Sequence, residues 1–354
     1  MSRKTVFYAL GILVILSIIF SSVISSSFWF SRQKIIRVAI IRQTWDPLDM
    51  IPSGKALDDV HKICLKEGEK HYNVKFEVYN FWDNWQGGDV QNGLLIKKKI
   101  DVLVAPGGFG GWYTPKKYRE EIKKFVFLGG GFYGICGDST FGALGFKHFN
   151  NRYIKLVNRL LGFEALSPML GLANVYTDAS DLLEIIGMPI FFTKLDVIRA
   201  LTALSLSRAP ILMLPTDPPI QKPYFNKKIK VMLGNAPMID GPLINRLYMP
   251  KVITIAILKG YDKPYHRSIE GKKAIIATTY GRGRVVLSAV HPELTTFNNK
   301  AHDIYVRNVL WLANALPLKN KKREEVFLAE CEAAPHCCDK QGSPYVYVPA
   351  DKKC

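Results

Sequence analysis

Two stretches, Tyr133-Gly134-Ile135-Cys136-Gly137 and Val290-His291-Pro292-Glu293, place a thiol, an imidazole and a carboxylate in one chain. Cys136 follows an apolar run and is flanked by Gly134 and Gly137. A sharp strand-to-helix turn there would push its side chain out of a sheet in strained backbone, the logic of a nucleophile elbow. His291 and Glu293 are two residues apart. In extended chain they share a face, and Pro292 fixes the backbone between them, so Glu293 can hold one imidazole nitrogen and leave the other for Cys136. Cys136, His291 and Glu293 thus supply a nucleophile, its base and the base's orienter. An attacked carbonyl also needs donors for the charge it develops. The Gly137 N–H is one candidate; Gly107 and Gly108, in the loop after the apolar stretch 101–105, are the others. Asp138 and Ser139, directly after the elbow, either bind substrate or cap the following helix.

The elements that must position these residues follow from periodicity. A β-branched run at 35–42, a helix over 56–71 and a strand at 74–79 lead to a third strand at 100–105. Pro115 opens a helix through Phe127 with Tyr118, Ile122, Phe125 and Val126 on one face, and Gly129 closes it. The strand 132–135 then carries the elbow. Such alternation implies a parallel sheet covered on both faces, with ligands bound beyond the strand carboxyl ends, where Gly107, Gly108 and Cys136 fall. The triad's second half arrives late because residues 150–228 read as a helical insertion. Helices are expected at 151–161, 179–186 and 195–207, with Pro210, Pro215, Pro218, Pro219 and Pro223 breaking the rest into loops. Strands at 229–233 and 252–258, a hairpin over 273–290 turning at Tyr280-Gly281-Arg282-Gly283, and a helix over 301–316 complete the core.

The set Val-Ala-Pro-Gly-Gly, Gly129-Gly130-Gly131, Phe-Tyr-Gly-Ile-Cys-Gly and Gly-Arg-Gly-Arg-Val-Val-Leu-Ser-Ala-Val-His-Pro-Glu resembles the class I glutamine amidotransferase-like superfamily. Within it, the pattern is similar to the domain named after the N-terminal part of some biotin-protein ligases. The resemblance covers residues 35–148 and 229–316. It implies a flavodoxin-like α/β three-layer sandwich with a mostly parallel sheet, and a triad of Cys136, His291 and Glu293. After the cysteine the chain reads Gly137-Asp138-Ser139-Thr140, which departs from the glutamine-hydrolysing run, so glutaminase activity is not expected. Gly281-Arg282-Gly283-Arg284 sits at a hairpin turn without the rest of a nucleotide loop, so neither is biotin ligation. The expected activity is a thiol amidohydrolase or peptidase-like hydrolase acting on a small-molecule or peptide substrate. The alternative is an inactive ligand-binding module.

With 354 residues, 48% hydrophobic and 22% charged, the chain can bury one substantial core, divided here as 1–34, 35–316 and 317–354. The net charge of +18 raises nucleic acid or anionic lipid as partners. Its lysines and arginines are scattered apart from Lys319-Asn320-Lys321-Lys322-Arg323, with no basic stripe interleaved with aromatics, so no nucleic acid is expected. Lipid has a clearer signal. Residues 5–31 carry no charge and are long enough to span a bilayer, with Phe28-Trp29-Phe30 suited to the interface. This reads as a single-pass anchor, with a cleaved signal peptide as the alternative and an extracytoplasmic domain in either case. Four of the six cysteines, Cys331, Cys337, Cys338 and Cys354, lie in the tail and read as two disulfides, with a zinc site as the alternative. No cofactor or metal is expected at the triad.

Overall fold

The computed structural model describes residues 33–46, 49, 52–108, 111, 114–147, 169–178, 206–234, 236–241, 249–260, 269–295 and 298–316. The expected anchor at 5–31, the helices expected at 151–161 and 179–186, and the tail cysteines lie outside the described residues. So does most of the helix expected at 195–207. Among the described residues, no helix is long and apolar enough to cross a membrane.

Among the described residues, the apolar runs become twelve strands of one mixed sheet. In chain order they are β1 (Lys34–Gln43), β2 (Val74–Asn84), β3 (Gly87–Gly88), β4 (Val102–Ala105), β5 (Gly131–Ile135), β6 (Tyr176–Asp178), β7 (Leu206–Met213), β8 (Lys228–Gly234), β9 (Met238–Asp240), β10 (Ile253–Leu258), β11 (Lys273–Tyr280) and β12 (Gly283–Ser288). The helices are α1 (Pro52–His71), α2 (Leu94–Lys97), α3 (Lys116–Phe127), α4 (Gly137–Gly142) and α5 (Asn299–Leu312). The strand order is β3-β2-β1-β4-β5-β12-β11-β10-β7-β8, with β9 paired to β11 and β6 to β9.

A mostly parallel, flavodoxin-like sandwich with a helical insertion is therefore overturned by the sheet itself. Only β1–β2, β1–β4, β4–β5 and β5–β12 pair in parallel; the other seven pairings are antiparallel. Much of the difference comes from the stretch read as an insertion. Its last part holds β7, which pairs with β8, the strand expected at 229–233, and extends the sheet rather than decorating it. Pro210 misled the reading because proline is rare inside a sheet. Here β10 pairs only with Ile211 to Met213, so Pro210 lies beyond that ladder and its missing N–H breaks nothing on the β10 side.

Burial follows the two kinds of pairing. β4 and β5 are buried along their whole length, as strands covered on both faces must be. Edge strand β8 begins with strict alternation, Lys228 and Lys230 exposed, Ile229 and Val231 buried. Consecutive residues of β5 point to opposite faces: Phe132 packs on Phe141, which stacks on Tyr118 of α3, whereas Tyr133 stacks on Tyr305 of α5. Tyr118, Ile122, Phe125 and Val126 form the buried stripe of α3. The α1–α5 layer is tight enough that a Cβ on Gly68 would come within 2.6 Å of Val306.

Candidate active site

The site begins where β5 stops. Cys136 takes φ 54° and ψ −122°, in the left-handed half of backbone space, and α4 starts at the next residue. For a residue with a Cβ that conformation costs about 1–3 kcal/mol and persists only where neighbours hold it. Here the Cys136 N–H donates to the Ser288 carbonyl at 2.8 Å. The Cys136 carbonyl accepts from the Ser139 N–H at 3.0 Å and from the Ser139 hydroxyl at 2.6 Å. Ser139 is buried, and its hydroxyl is committed to the turn. The glycine after the cysteine is required sterically, since a Cβ on Gly137 would collide with the Gly108 carbonyl.

The second half of the site hangs from β8. The His291 N–H donates to the Met232 carbonyl at 2.8 Å, and the His291 carbonyl accepts from the Thr295 hydroxyl at 2.8 Å. The Thr295 oxygen in turn accepts from the Met232 N–H at 2.9 Å. This closed ring of bonds fixes the chain leading into Glu293. The His291 Nδ1 and a Glu293 carboxylate oxygen are 2.6 Å apart. His291 is 8% exposed and Glu293 1%.

The two halves meet over the glycine loop. A Cβ built on Gly107 would stand 3.0 Å from Cys136 Cβ and 3.6 Å from His291 Cε1, so one glycine lies against both side chains. Burial alone would pull the His291 imidazole down, but Cys136 and Glu293 on either side outweigh it and raise it to about 10. Burial pushes the Glu293 carboxyl up, and His291 more than reverses this, leaving it below its ordinary value. The Cys136 sulfur has a competing partner, because its thiol donates to the Gly234 carbonyl at 3.3 Å. That carbonyl comes from the end of β8, at the edge of the strand expected at 229–233, and no signal near Cys136 in the sequence points to it.

The oxyanion loop needs a correction. The Gly107 N–H donates to an Asp138 carboxyl oxygen at 3.1 Å, so it is not available to a substrate. The Gly108 N–H has no partner among the described residues. Asp138 is 1% exposed and its other oxygen has no partner among the described residues. Burial, then Asp46 and Asp49, raise its carboxyl to about 8, against the Gly107 N–H and Arg42. Asp138 therefore acts first as a strut between elbow and loop.

Behind the triad lies a layer that sequence reasoning missed. His61 of α1 is 1% exposed, 3.0 Å through Nδ1 from the Tyr305 hydroxyl, and burial pushes it down to about 4. It is electrostatically coupled to Glu293, one of whose oxygens is buried without a partner. The Cys64 thiol donates to the Glu293 carbonyl at 3.5 Å, and burial pushes that thiol up. The sequence marks a helix over 56–71, but only the tertiary fold puts His61 under Glu293. His302 pairs with Glu67 at 3.1 Å, and His148 and His266 lie outside the described residues. Among the described residues, no group of His, Cys, Asp or Glu is arranged to hold a metal.

No family model matches the chain. No curated protein matches it either. Solved structures with partial likeness include a ThuA-like protein from Bacteroides uniformis, at 10% identity and TM-score 0.44, covering 83% of this chain and 96% of that one. A β-galactosidase from Bacillus circulans aligns at 10% identity and TM-score 0.40 over 80% of this chain. The alignment takes in 32% of that enzyme, so the chain spans about a third of its length. A cytoplasmic protein from Salmonella typhimurium aligns at 11% identity and TM-score 0.39, covering 78% of this chain and 99% of that one. Likenesses at this level carry no argument about activity.

Proposed function

We propose that the chain is a cysteine-dependent hydrolase of an amide or peptide-like bond, with Cys136 as nucleophile, His291 as proton carrier and Glu293 as its orienter. The observation that carries this reading is the His291 imidazole held between the strained Cys136 and a buried carboxylate 2.6 Å away. The motif resemblance to the class I glutamine amidotransferase-like superfamily supports the same three roles. His291 takes the Cys136 thiol proton as the sulfur attacks the amide carbon, and the oxyanion is met by the Gly108 N–H. The tetrahedral intermediate collapses to a thioester as the His291 imidazolium protonates the leaving amine. Water, deprotonated by His291, then cleaves the thioester and returns the thiol. Incubation with a panel of N-acyl amides and short peptides, read by intact-protein mass spectrometry, should trap an acyl adduct on Cys136. Turnover that persists in Cys136→Ala would defeat the reading.

A second reading has one observation in its favour. The engaged Gly107 N–H leaves the loop a donor short of the expected set, which suits a module that binds a carboxylate or amide without turning it over. Saturable binding by isothermal titration with no product over days would favour it.

We further infer a single-pass membrane anchor through residues 5–31, with the folded domain on the extracytoplasmic side. The uncharged run and the cluster of four cysteines in the tail support it. Resistance to alkaline extraction, together with a non-reducing gel shift of the tail cysteines, is the expected outcome; release into the soluble fraction would contradict it.

A further inference from the structure

The end of the sheet opposite the triad has an unusual surface. The parallel strands all begin there: β1 at Lys34, β4 at Val102, β5 at Gly131 and β12 at Gly283. Seven large hydrophobic side chains are exposed among the described residues, and four of them, Ile35, Ile96, Phe127 and Leu128, are next to those strand starts. Phe127 is 57% exposed and Leu128 46%. Ile96 and Leu128 edge an open groove of about 460 Å³ lined by Leu95, Phe125 and Leu312 and by the polar Lys34, Lys99, Asp101 and Asn314. An apolar patch of this kind on a water-soluble face calls for a partner.

Cations surround the patch. Lys97, Lys99, Lys124 and Arg282 are exposed there, and Lys34 spans the groove rim to donate to the Ala313 and Asn314 carbonyls at 3.1 and 2.9 Å. The nearby acids are already engaged: Asp101 accepts from the Arg37 N–H at 2.7 Å, and Glu121 lies 3.9 Å from Lys124. The chain itself says what lies beneath. The uncharged run 5–31 ends immediately before Lys34, and the run Lys319 to Arg323 follows closely after Asn314, which sits against Lys34. The chain that leads to the apolar segment and the chain that leads to the basic run therefore both leave the described domain at the end that carries the patch.

We infer that this end is a membrane-docking face, on which Ile96, Phe127 and Leu128 enter the interface of a bilayer while Lys97, Lys99, Lys124 and Arg282 meet anionic lipid headgroups. Aromatic and aliphatic side chains ringed by cations have the chemistry of an interfacial contact, and basic side chains act within about 10 Å, a Debye length, of a charged surface. Docking in this way puts Cys136, just beyond the carboxyl end of β5, and His291, beyond the end of β12, on the side of the sheet away from the bilayer. The inference rests on the anchor proposed above and is independent of the triad's chemistry.

The test uses the full chain in vesicles, with a benzophenone amino acid replacing Leu128 in one sample and Trp85 in another. Trp85 is 56% exposed beyond the opposite end of β2 and serves as the control. Flotation of the vesicles reports the anchor separately. The expected result is lipid adducts at position 128 at least about fivefold over position 85. Their yield should fall when phosphatidylglycerol is replaced by phosphatidylcholine, and again in Lys97→Glu/Lys99→Glu. Floating protein with equal adducts at 128 and 85 overturns the docking face and leaves the anchor standing. Protein that does not float overturns both. Adducts from 128 to another protein chain rather than lipid also overturn the inference, in favour of self-association.

Discussion

The parallel and antiparallel halves of the sheet each deliver one half of the site, and they do so by different means. On the parallel side, Cys136 is placed by its own neighbours: β5 behind it, Ser139 reaching back to its carbonyl, and the Gly108 carbonyl where only a glycine at 137 fits. On the antiparallel side, His291 is placed by distant chain, through the Met232 carbonyl of β8 and the hydroxyl of Thr295. Local strain makes the nucleophile; long-range register aims the base. The two should therefore fail differently when disturbed.

The largest effect is expected at the elbow. Cys136→Gly should abolish turnover, by on the order of 10⁴-fold, while raising stability to urea by about 1 kcal/mol as the positive φ is relieved. Unchanged stability would mean the elbow stores no strain. His291→Ala should lower turnover by about 10²- to 10⁴-fold and leave the elbow intact, as judged by near-UV circular dichroism. Gly137→Ala should cost about 3 kcal/mol through overpacking against the Gly108 carbonyl, and the loss should be visible in the urea midpoint. Thr295→Val leaves the Met232 N–H and the His291 carbonyl without their shared partner, at about 1–3 kcal/mol. It should slow acylation with no change in Cys136 geometry, and an equal effect on both halves would erase the distinction between them.

A further effect is expected on the pH dependence of stability. The folded His291 is raised from 6.5 to about 10, so between those values the folded state keeps a proton that the unfolded chain has released. That contribution is complete below about pH 6.5 and disappears as pH rises towards 10. The urea midpoint of the wild type should therefore fall over this window more than that of His291→Gln. The Glu293 carboxyl, lowered by His291, acts in the opposite sense and is lost as pH falls through the acid range.

Legibility in the sequence follows the same division. The elbow, the α3 stripe and the Tyr280 to Gly283 hairpin were readable because each is written in neighbouring residues. Strand β7 was not, since Pro210 and the flanking prolines mimic loop composition while β10 supplies a ladder that ends before Pro210. The strand expected at 229–233 is β8, but without β7 beside it neither its place in the sheet nor the approach of the Gly234 and Met232 carbonyls to the site was legible, and the sheet looked more parallel than it is. Gly107 looked like a free donor for a related reason: that its N–H is taken depends on where the Asp138 side chain turns, which spacing does not fix. His61 carries no local motif at all, and its place beneath Glu293 depends on how α1 packs against α5.

The central claim is that His291, rather than the Gly234 carbonyl, takes the proton of Cys136. The direct measurement is the rate of Cys136 alkylation by iodoacetamide between pH 5 and 9, in wild type and His291→Ala, with the adduct located by mass spectrometry. If the claim holds, the wild type is alkylated at pH 6 at least about tenfold faster than the variant, and its rate changes little up to pH 8. Two rates that coincide at every pH and rise together would contradict it.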